Sequence, residues 1–380
     1  MEGPKVFIVA GEDSGDHLGA ALLEEMRQRE PGIDGVGLGG PRMEAAGCRI
    51  LYHLPGLSVM WFSQVFRRAL TFYRIFRKTL RWIEEESPAL VILIDFPGFN
   101  LRLARRLRRR QIPVIYYVSP QVWAWAPGRV RSIAASVDRM LVLFPFEKKI
   151  YERAGVPVDY VGHPLFDALQ GEEGPTEDRD PLVGILPGSR LQEVRLGLPV
   201  MLRAARRLAS EVPDLDFAVS CARQSFRPVI ERALADLPLP ARIVEGSPRD
   251  ILRRSKFCFM TSGSGTLECM YFETPMVIVY RVTPAAYLLS LLLKTSRYIG
   301  LVNVLAGMEI VPEYLDFRDR SDDLADEAIR LIRPGPDRER CLAGLRRLKA
   351  EILEPGAAGR AAEAVLQAVS SARGEARVAR

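Results

Sequence analysis

The sequence predicts an α/β protein built from two Rossmann-like domains whose parallel sheets face a cleft. Two glycine-rich turns carry this prediction: residues 11–16 follow an apolar run at 6–10, and residues 261–266 follow one at 257–260. Each turn precedes a helix-like stretch. This pattern is typical of nucleotide-binding units, because glycine lets backbone N–H groups approach a phosphate at a helix N-terminus. A polar, acidic stretch rich in glycine and proline at 171–181 is predicted to be the linker.

Strand-like and helix-like stretches alternate through both halves, which predicts parallel sheets with right-handed crossovers. The predicted strands of the first half are 6–10, 90–94, 114–118 and 140–144, with helices such as 19–29 and 101–110 between them. Those of the second half are 182–186, 216–220, 241–244, 257–260 and 276–280, with a helix that runs through Arg207. The domains are therefore predicted at 1–170 and 182–333. Two helical stretches at 334–370 are expected to pack back on the first domain, and the tail 371–380 is expected to be disordered.

Composition indicates a globular chain of 380 residues, long enough for two ordinary cores. The five cysteines are scattered and the three histidines lack metal-ligand spacing, so neither a disulfide framework nor a zinc site is expected. The first predicted strand begins near Lys5, so no secretory signal is expected. The longest uncharged apolar run, 282–293, is shorter than the ~20 residues of a membrane span. The net charge of +6 suits a nucleic acid, an anionic membrane surface or phosphorylated substrates.

Residues 57–83 contain no acidic side chain and combine an apolar face with a basic one. The apolar positions are Phe62, Val65, Phe66, Leu70, Phe72, Tyr73, Phe76, Leu80 and Ile83, and the basic ones are Arg67, Arg74, Arg77, Lys78 and Arg81. A basic amphipathic helix with aromatic residues is typical of a membrane interface. The pattern alone favours an ordinary helix that packs on the core, because such helices are commoner.

The turn after the 257–260 strand suits a nucleoside diphosphate. It supplies two glycines and two hydroxyls, at Gly263, Ser264, Gly265 and Thr266. Glu268 lies in the first helical turn, where its carboxylate can accept hydrogen bonds from two ribose hydroxyls. The alternative is that Glu268 only offsets the helix dipole. Arg190 also stands where a strand ends and a helix begins, and it suits either a phosphate or a surface ion pair.

Asp95 stands at the carboxyl end of the predicted strand 90–94, where open α/β sheets bind ligands. It can accept a proton from an attacking hydroxyl, or only orient that hydroxyl. The alternative is a helix cap or a structural hydrogen bond. An ordinary Asp pKa near ~3.9 makes a weak base, so a catalytic base here requires burial to raise the pKa.

Several other chemistries lack their motifs. No GxSxG, P-loop or CxxC sequence is present, and the first turn does not match GxGxxG, which disfavours a nicotinamide site. The two DxD matches, at 178–180 and 214–216, fall in the linker and at the start of a strand. A metal-dependent sugar transferase is therefore disfavoured.

Longer motifs are distributed over both halves of the chain. They are GEDSGD at 11–16, GGPRM at 39–43, IDFPGFN at 94–100, YVSPQVWAW at 117–125, FPFEK at 144–148, GHP at 162–164, LPGSR at 186–190, SGSGTLECM at 262–270 and NVLAG at 303–307. Together they resemble the lipid-A-disaccharide synthases, a family of GT-B-type glycosyltransferases. The likeness runs from residue 10 to about residue 311. The SPxVWAW stretch is found almost exclusively in this family.

The resemblance implies that UDP-2,3-diacylglucosamine donates its sugar to 2,3-diacylglucosamine 1-phosphate, which gives a β-1,6-linked disaccharide phosphate and UDP. We expect inverting, metal-independent transfer without a cofactor and without a nucleic-acid partner. The family acts at the inner face of the cytoplasmic membrane, so an anionic lipid surface is an expected partner. Because both substrates are acylated, the resemblance favours the membrane interpretation of 57–83. The expected membrane contacts are Phe62, Phe66, Leu70, Phe76, Arg74, Arg77 and Lys78.

The resemblance also indicates functional positions. In the family, the residues that match Asp95, Arg190, Glu268 and Asn303 are needed for activity. We assign Asp95 as the catalytic residue and Gly11, Ser14, Gly15, Asn100 and Ser119 to the acceptor side. We assign the UDP site to Ser189, Arg190, Gly263, Ser264, Gly265, Thr266, Glu268 and Asn303. Gly98 stands where the family often has an acid, so a second carboxylate beside Asp95 is either unnecessary here or supplied elsewhere.

Three alternatives are kept. Another GT-B transferase would use the same motifs with a different lipid-linked acceptor. A UDP-sugar epimerase would share the UDP site but would not need the apolar, basic helix predicted at 57–83. A basic scaffold for nucleic acid would explain the charge but neither glycine-rich turn, and it would bind generic DNA in a salt-dependent way.

Overall fold

The structure is a computed structural model that describes residues 3–54, 65–120, 127–172, 174, 179–293 and 296–378. At 65–69, 127, 292–293 and 373–378 it describes the backbone only. The chain divides into two compact units. The first unit is Met1–Gln170 with Glu354–Arg380, and the second unit is Gly171–Leu353.

The first unit contains a parallel sheet. Its strands are β1 (Lys5–Ala10), β2 (Asp34–Gly39), β3 (Arg49–His53), β4 (Leu90–Ile94), β5 (Val114–Tyr117), β6 (Arg139–Val142) and β7 (Val158–Tyr160). Their order across the sheet is β3-β2-β1-β4-β5-β6-β7. β1 and β4 are neighbours in the sheet although two other strands separate them in sequence. The topological switch point, where open α/β sheets bind ligands, therefore lies between these two strands.

Helices connect these strands and cover the sheet, because strands that are buried on both faces need a layer on each side. They are Asp13–Arg29, Pro41–Ala45, Val65–Glu86, Pro97–Arg108, Val130–Ala134, Pro145–Glu152, Leu165–Ala168 and Ala357–Val378. Proline is the first residue of three of them, at Pro41, Pro97 and Pro145. A proline is favourable there because the first helical N–H has no partner within the helix.

The second unit contains another parallel sheet. Its strands are β8 (Asp180–Leu186), β9 (Asp216–Cys221), β10 (Ala241–Glu245), β11 (Ser255–Met260), β12 (Met276–Arg281) and β13 (Glu313–Asp316), in the order β10-β9-β8-β11-β12-β13. Its helices are Leu191–Glu211, Arg227–Asp236, Arg249–Arg254, Gly265–Tyr271, Pro284–Leu293, Leu301–Ala306, Ser321–Ile332 and Pro336–Ile352. The switch point of this sheet lies between β8 and β11.

The predicted class, α/β with two parallel sheets, is confirmed. The C-terminal region differs from the expectation that both of its helices pack on the first domain. Helix Pro336–Ile352 belongs to the second unit, and only helix Ala357–Val378 belongs to the first. There, Arg360 Nε donates to the Val161 carbonyl at 2.9 Å, and Arg139 donates to the Ala364 carbonyl at 3.1 Å. This last helix continues to Val378, so residues 371–378 are helical where a disordered tail was expected.

Candidate active site

The first candidate region lies at the switch point of the first sheet. Ala10 at the end of β1 pairs with Ile94 at the end of β4, so Gly11 and Asp95 follow at adjacent strand ends. A Cβ on Gly11 would lie 2.2 Å from the Phe96 ring, so the residue after β1 must be glycine for the two loops to approach this closely. The sheet thus brings together two of the residues that the sequence indicated.

The backbone at the ends of β4 and β5 is strained. Asp95 and Phe96 have φ values of 46° and 49°, and Val118, which follows β5, has a φ of 71°. Positive φ is uncommon for residues other than glycine, and a β-branched side chain tolerates it least. Each such residue costs on the order of 1–3 kcal/mol, and strain of this kind is concentrated at functional sites.

Two side chains fix this strained turn. The Asn100 amide donates to the carbonyl oxygens of Ile94 and Asp95, at 3.1 and 2.8 Å. The Tyr116 hydroxyl donates to the same Asp95 carbonyl at 2.7 Å. Asn100 is fully buried, and its Oδ1 has no hydrogen-bond partner among the described residues. Asn100, expected on the acceptor side, therefore acts on the main chain that carries Asp95.

The Asp95 carboxyl is the group in this region with the chemistry of a base. Burial, and after it the negative charge of Glu12, raise the pKa of Asp95 to about 6, against an opposing hydrogen bond from the Phe96 backbone N–H. Glu12 is exposed and directly precedes helix Asp13–Arg29. It is thus a second carboxylate that acts on Asp95, from a position to which the sequence assigned no role.

The other residues expected on the acceptor side are one exposed hydroxyl and two buried positions. Ser14 is exposed on the first turn of helix Asp13–Arg29. Gly15 is buried, and a Cβ there would make an ordinary 3.4 Å contact with the Ala10 Cβ. The buried Ser119 hydroxyl bonds the Tyr151 hydroxyl and the Pro120 carbonyl, each at 2.9 Å. Only Ser14 of these three presents a side chain to solvent.

Asp16 has a structural role that the sequence did not indicate. Its buried carboxylate accepts hydrogen bonds from the backbone N–H groups of Gly40, Arg42 and Met43, at 2.7, 3.0 and 3.1 Å. These residues open helix Pro41–Ala45, whose N-terminal donors have no partner within their own helix. The capping joins the GEDSGD and GGPRM motifs, so both shape the loops at the ends of β1 and β2.

Helix Val65–Glu86 packs on the Asp95 turn. The Phe72 ring lies 6.3 Å from the Phe96 ring, and Phe76 meets Phe99 edge-on at 5.5 Å. Aromatic pairs at such distances contribute about 0.5–1.5 kcal/mol beyond the area they bury. This helix is therefore tied to the residues that flank Asp95.

The same helix has a buried face and an exposed one. Ile75 and Ile83 are buried, whereas Leu70 and Tyr73 are exposed. The basic residues expected at a membrane, Arg74, Arg77 and Lys78, are also exposed, and Phe76 is half-buried. Phe62 and the side chain of Phe66 lie outside the described residues. Within the described part of the chain, no helix is long and apolar enough to cross a bilayer.

The second candidate region lies at the switch point of the second sheet. Leu186 at the end of β8 pairs with Met260 at the end of β11, and the Thr261 N–H donates to the Leu186 carbonyl at 3.0 Å. The turns that follow these strands are therefore adjacent. Ser189, Gly263 and Ser264 are exposed in these turns, and Gly265 is half-buried.

Arg190 stands at the N-terminus of helix Leu191–Glu211. The Glu193 carboxylate accepts hydrogen bonds from the Arg190 backbone N–H at 3.2 Å and from its guanidinium at 3.0 Å. Gly188 has a φ of 111°, and a Cβ there would lie 2.4 Å from Glu193 Oε2, so glycine allows this cap to form. The Arg190 side chain is 75% exposed. The cap orients the arginine and leaves its guanidinium accessible to an anion.

Thr266 braces the glycine-rich turn from inside. It is fully buried, and its hydroxyl donates to the Gly263 carbonyl at 2.7 Å. We expected this hydroxyl to contact a ligand. The structure gives it a role in holding the turn, because its proton is committed to the backbone.

Glu268 is a half-buried carboxylate next to an arginine. Arg249 Nε lies 3.5 Å from Glu268 Oε1, and Arg249 also bonds Glu172 at 2.9 Å. Burial raises the pKa of Glu268, and the charge and hydrogen bond of Arg249 oppose that rise. No sequence motif indicated Arg249, which lies on another helix, Arg249–Arg254. Among the described residues, no group of three or more His, Cys, Asp or Glu is placed to hold a metal ion.

Asn303 is fully buried, and both ends of its amide bond the protein. Its nitrogen donates to the Val311 carbonyl at 2.8 Å and to Glu313 Oε2 at 3.0 Å. Its oxygen accepts from the N–H groups of Ile310 and Val311 at 2.9 and 3.1 Å. These bonds make Asn303 a brace for the chain at 310–313, where direct contact with UDP was expected.

Glu313 connects this brace to the glycine-rich turn. Its two oxygens accept hydrogen bonds from the N–H groups of Ile299 at 2.8 Å and Gly300 at 2.9 Å. The Ile299 carbonyl in turn accepts the Ser262 hydroxyl at 2.8 Å, and Ser262 directly precedes Gly263. A continuous set of bonds therefore runs from Asn303 through Glu313 to the turn.

Comparison with known proteins identifies the family. The family model described as lipid-A-disaccharide synthetase matches residues 6–352. The chain belongs to this family. The lipid-A-disaccharide synthase of Myxococcus xanthus (strain DK1622) is 37% identical over 378 residues, which are 97% of this chain and 99% of that protein. The one of Anaeromyxobacter dehalogenans (strain 2CP-1 / ATCC BAA-258) is 40% identical over 372 residues, 95% of this chain and 97% of that protein.

Solved structures share the fold at low identity. The calicheamicin glycosyltransferase CalG4 matches with a TM-score of 0.60 and 15% identity, over 98% of this chain and 99% of that one. The UDP-GlcNAc 2-epimerase from Neisseria meningitidis matches with a TM-score of 0.58 and 14% identity, over 97% and 100%. These likenesses confirm the predicted GT-B fold. Membership of the lipid-A-disaccharide synthetase family confirms the prediction of a glycosyltransferase of lipid A biosynthesis.

Proposed function

We propose that the chain transfers 2,3-diacylglucosamine from its UDP derivative to 2,3-diacylglucosamine 1-phosphate. The products are a β-1,6-linked lipid A disaccharide 1-phosphate and UDP. Family membership supports the reaction class. The observation that carries the proposal furthest is the Asp95 carboxyl, whose pKa is raised to about 6 and whose main chain is held by Asn100 and Tyr116.

In this proposal the first unit binds the acceptor. The acceptor's 6-hydroxyl oxygen attacks C1 of the donor sugar while the bond from C1 to the diphosphate oxygen breaks. The electron pair of that bond leaves with UDP, Asp95 accepts the hydroxyl proton, and the configuration at C1 inverts. A base is most effective when its pKa lies near the operating pH, so a pKa of about 6 suits Asp95 better than its ordinary value.

The second unit binds the donor. Its site comprises Ser189, Arg190, Gly263, Ser264, Gly265 and Glu268, with Thr266 and Asn303 as buried supports. Arg190 and the adjacent helix N-terminus stabilise the charge that develops on the departing diphosphate, so this step requires no metal ion. Glu268 accepts hydrogen bonds from the ribose hydroxyls. The exposure of Arg190, Gly263 and Ser264 supports this assignment.

We place the reaction at the inner face of the cytoplasmic membrane, with the enzyme bound peripherally. Both proposed substrates carry acyl chains and reside in a lipid surface. Helix Val65–Glu86 exposes Leu70 and Tyr73 beside Arg74, Arg77 and Lys78, and it packs on the Asp95 turn through Phe72. An amphipathic helix with this composition binds anionic interfaces through buried apolar area and electrostatic attraction.

The deciding experiment measures UDP release from UDP-2,3-diacylglucosamine with and without 2,3-diacylglucosamine 1-phosphate, and identifies the lipid product by mass spectrometry. The proposal expects release only with both substrates, in equal amounts with a disaccharide 1-phosphate. UDP release without the acceptor would indicate hydrolysis. No release with both substrates would contradict the proposed substrate pair.

A further inference from the structure

Helix Pro284–Leu293 of the second unit presents leucines to solvent. Leu288, Leu289 and Leu291 are 64%, 54% and 62% exposed. Its other side packs on the unit: Ser290 is buried, and the Tyr287 ring lies 5.2 Å from that of Phe317. A surface helix ordinarily buries its apolar side chains and exposes its polar ones. Here the leucines point outward and a serine points inward.

Large exposed hydrophobic side chains are concentrated on two helices. Among the described residues they are Leu70 and Tyr73 on helix Val65–Glu86, Leu288, Leu289 and Leu291 on helix Pro284–Leu293, and Met308. Single exposed apolar residues are normal on protein surfaces, but a contiguous group marks an interaction site. Helix Val65–Glu86 belongs to the first unit and helix Pro284–Leu293 to the second, so each unit carries one such group.

The charge around the leucine helix indicates an anionic occupant. No acidic residue occurs between Glu273 and Glu309, whereas Arg281, Lys294 and Arg297 lie in that interval. Exposed Arg318 also lies close to the helix, because its guanidinium is 5.4 Å from the centre of the Phe317 ring, which packs on Tyr287. Its neighbour Asp319 is paired with Arg203 at 2.7 Å. Apolar side chains flanked by cations match the interface of an anionic bilayer.

We propose that helix Pro284–Leu293 is a second lipid-binding element, which inserts Leu288, Leu289 and Leu291 into the boundary between headgroups and acyl chains. The exposed cations Arg297 and Arg318 contact lipid phosphates. The inference rests on the proposed function insofar as that function brings the enzyme to a lipid surface. One weak anchor gives only marginal, reversible membrane binding, whereas two linked contacts bind far more tightly than either one. With this helix, the donor-binding unit has a lipid contact of its own.

The test is sedimentation of the full chain with vesicles of phosphatidylethanolamine and phosphatidylglycerol. The triple variant Leu288→Ser, Leu289→Ser, Leu291→Ser should lower the partition coefficient by about tenfold or more, because three largely exposed leucines lose their transfer free energy. The matched variant Leu288→Met, Leu289→Met, Leu291→Met keeps the helix apolar and should bind like the wild type. Equal binding by the serine variant and the wild type would overturn the proposal.

Two further arms separate the alternatives. A Leu70→Ser, Tyr73→Ser variant should retain part of the vesicle binding, and adding the three leucine-to-serine changes should remove that remainder. If Leu70→Ser, Tyr73→Ser by itself abolishes vesicle binding, the proposal of a second lipid-binding element is contradicted. A change of oligomeric state in the leucine-to-serine variant, with vesicle binding unchanged, would assign the leucines to a second copy of the chain and overturn the proposal. Activity on detergent-dispersed substrates is measured in parallel. If the proposed reaction is wrong, the wild type is inactive in this assay. The vesicle-binding result does not depend on that outcome.

Discussion

Asp95→Asn separates the proposed base from the backbone that carries it. Asparagine tolerates positive φ better than most residues, so the φ of 46° at this position is retained. The bonds from Asn100 and Tyr116 go to the Asp95 carbonyl and are retained as well. The variant therefore loses the proton acceptor with little other change. Loss of a general base lowers turnover by about 10²–10⁴-fold. UDP affinity should be unchanged, because the proposed donor residues all lie in the second unit.

The same substitution should stabilise the fold, and the structure sets the size and sign of the effect. Burial, with a contribution from the charge of Glu12, raises the Asp95 pKa from 3.8 to about 6. Below pH 3.8 the carboxyl is protonated in both the folded and the unfolded protein, so the pKa difference does not affect stability. Between pH 3.8 and about 6 the unfolded chain releases this proton while the folded protein retains it, so the stability of the fold falls as the pH rises. Above about 6 the folded protein holds the buried charge and the loss is complete. A rise of about two in pKa corresponds to about 2–3 kcal/mol, and Asp95→Asn should recover most of it at high pH.

Two measurements test this reasoning together. Wild-type turnover should rise with pH through about 6, as Asp95 loses its proton. Denaturant unfolding should show a stability advantage of the variant that grows between pH 3.8 and about 6 and is constant above that range. Glu12→Gln is the control, because it removes a neighbouring carboxylate and leaves Asp95 unchanged. Turnover of Asp95→Asn within a few-fold of the wild type would remove Asp95 from the mechanism. Equal stability of the two proteins at high pH would refute burial as the cause of the raised pKa.

The remaining predictions concern the groups around the two candidate regions. Glu12→Gln should move the acidic limb of the turnover profile to lower pH, because a like charge next to Asp95 is removed; an unmoved limb would contradict the coupling. Arg190→Ala should lower turnover more than it weakens donor binding, whereas Glu268→Ala should mainly weaken UDP binding in calorimetry. Full UDP affinity in Glu268→Ala would refute the ribose contact. Glu313→Gln should raise the donor KM about tenfold with a smaller change in kcat, since a charged acceptor for two backbone N–H groups is lost. EDTA should leave wild-type activity unchanged, and inhibition that magnesium reverses would contradict transfer without a metal.

Most of the strands that the sequence predicted have continuous apolar runs, although 216–220 and 241–244 also contain polar residues. β4 and β11 are buried along nearly their whole length and are bounded by polar loops. β2 was missed because its sequence, DGVGLG, contains three glycines, which are unfavourable in strands. A Cβ on Gly37 would lie 1.9 Å from the Ile8 carbonyl oxygen of the neighbouring strand. The glycine is therefore required by contact with β1, a tertiary requirement that local propensity does not contain.

For the candidate site, the sequence indicated positions better than roles. The positions of Asp95 and Arg190, close after the ends of β4 and β8, could be predicted because strand ends in a parallel sheet meet at one edge. Thr266 and Asn303 were expected to contact a ligand, yet both side chains are buried and bonded to the protein. A motif names a residue type and does not say which way its side chain points. Glu313 was missed because its short strand is only half-buried and carries no motif, so its role is visible only through its bonds.

The carboxylates of the two regions differ in their partners, and this difference fits their proposed tasks. In the second unit, Glu193 bonds Arg190 and Glu268 lies next to Arg249, so negative charge near the proposed diphosphate site is balanced by cations. In the first unit, the described groups that shift the Asp95 pKa include Glu12 and no basic side chain. A cation beside Asp95 would favour its charged form and lower its pKa, which would weaken it as a base. The basic side chains that the structure describes on helix Val65–Glu86, which are Arg74, Arg77, Lys78 and Arg81, are exposed, while aromatic rings cover the turn that carries Asp95. This arrangement leaves positive charge exposed for the proposed lipid surface and keeps it away from the carboxylate that we propose as the base.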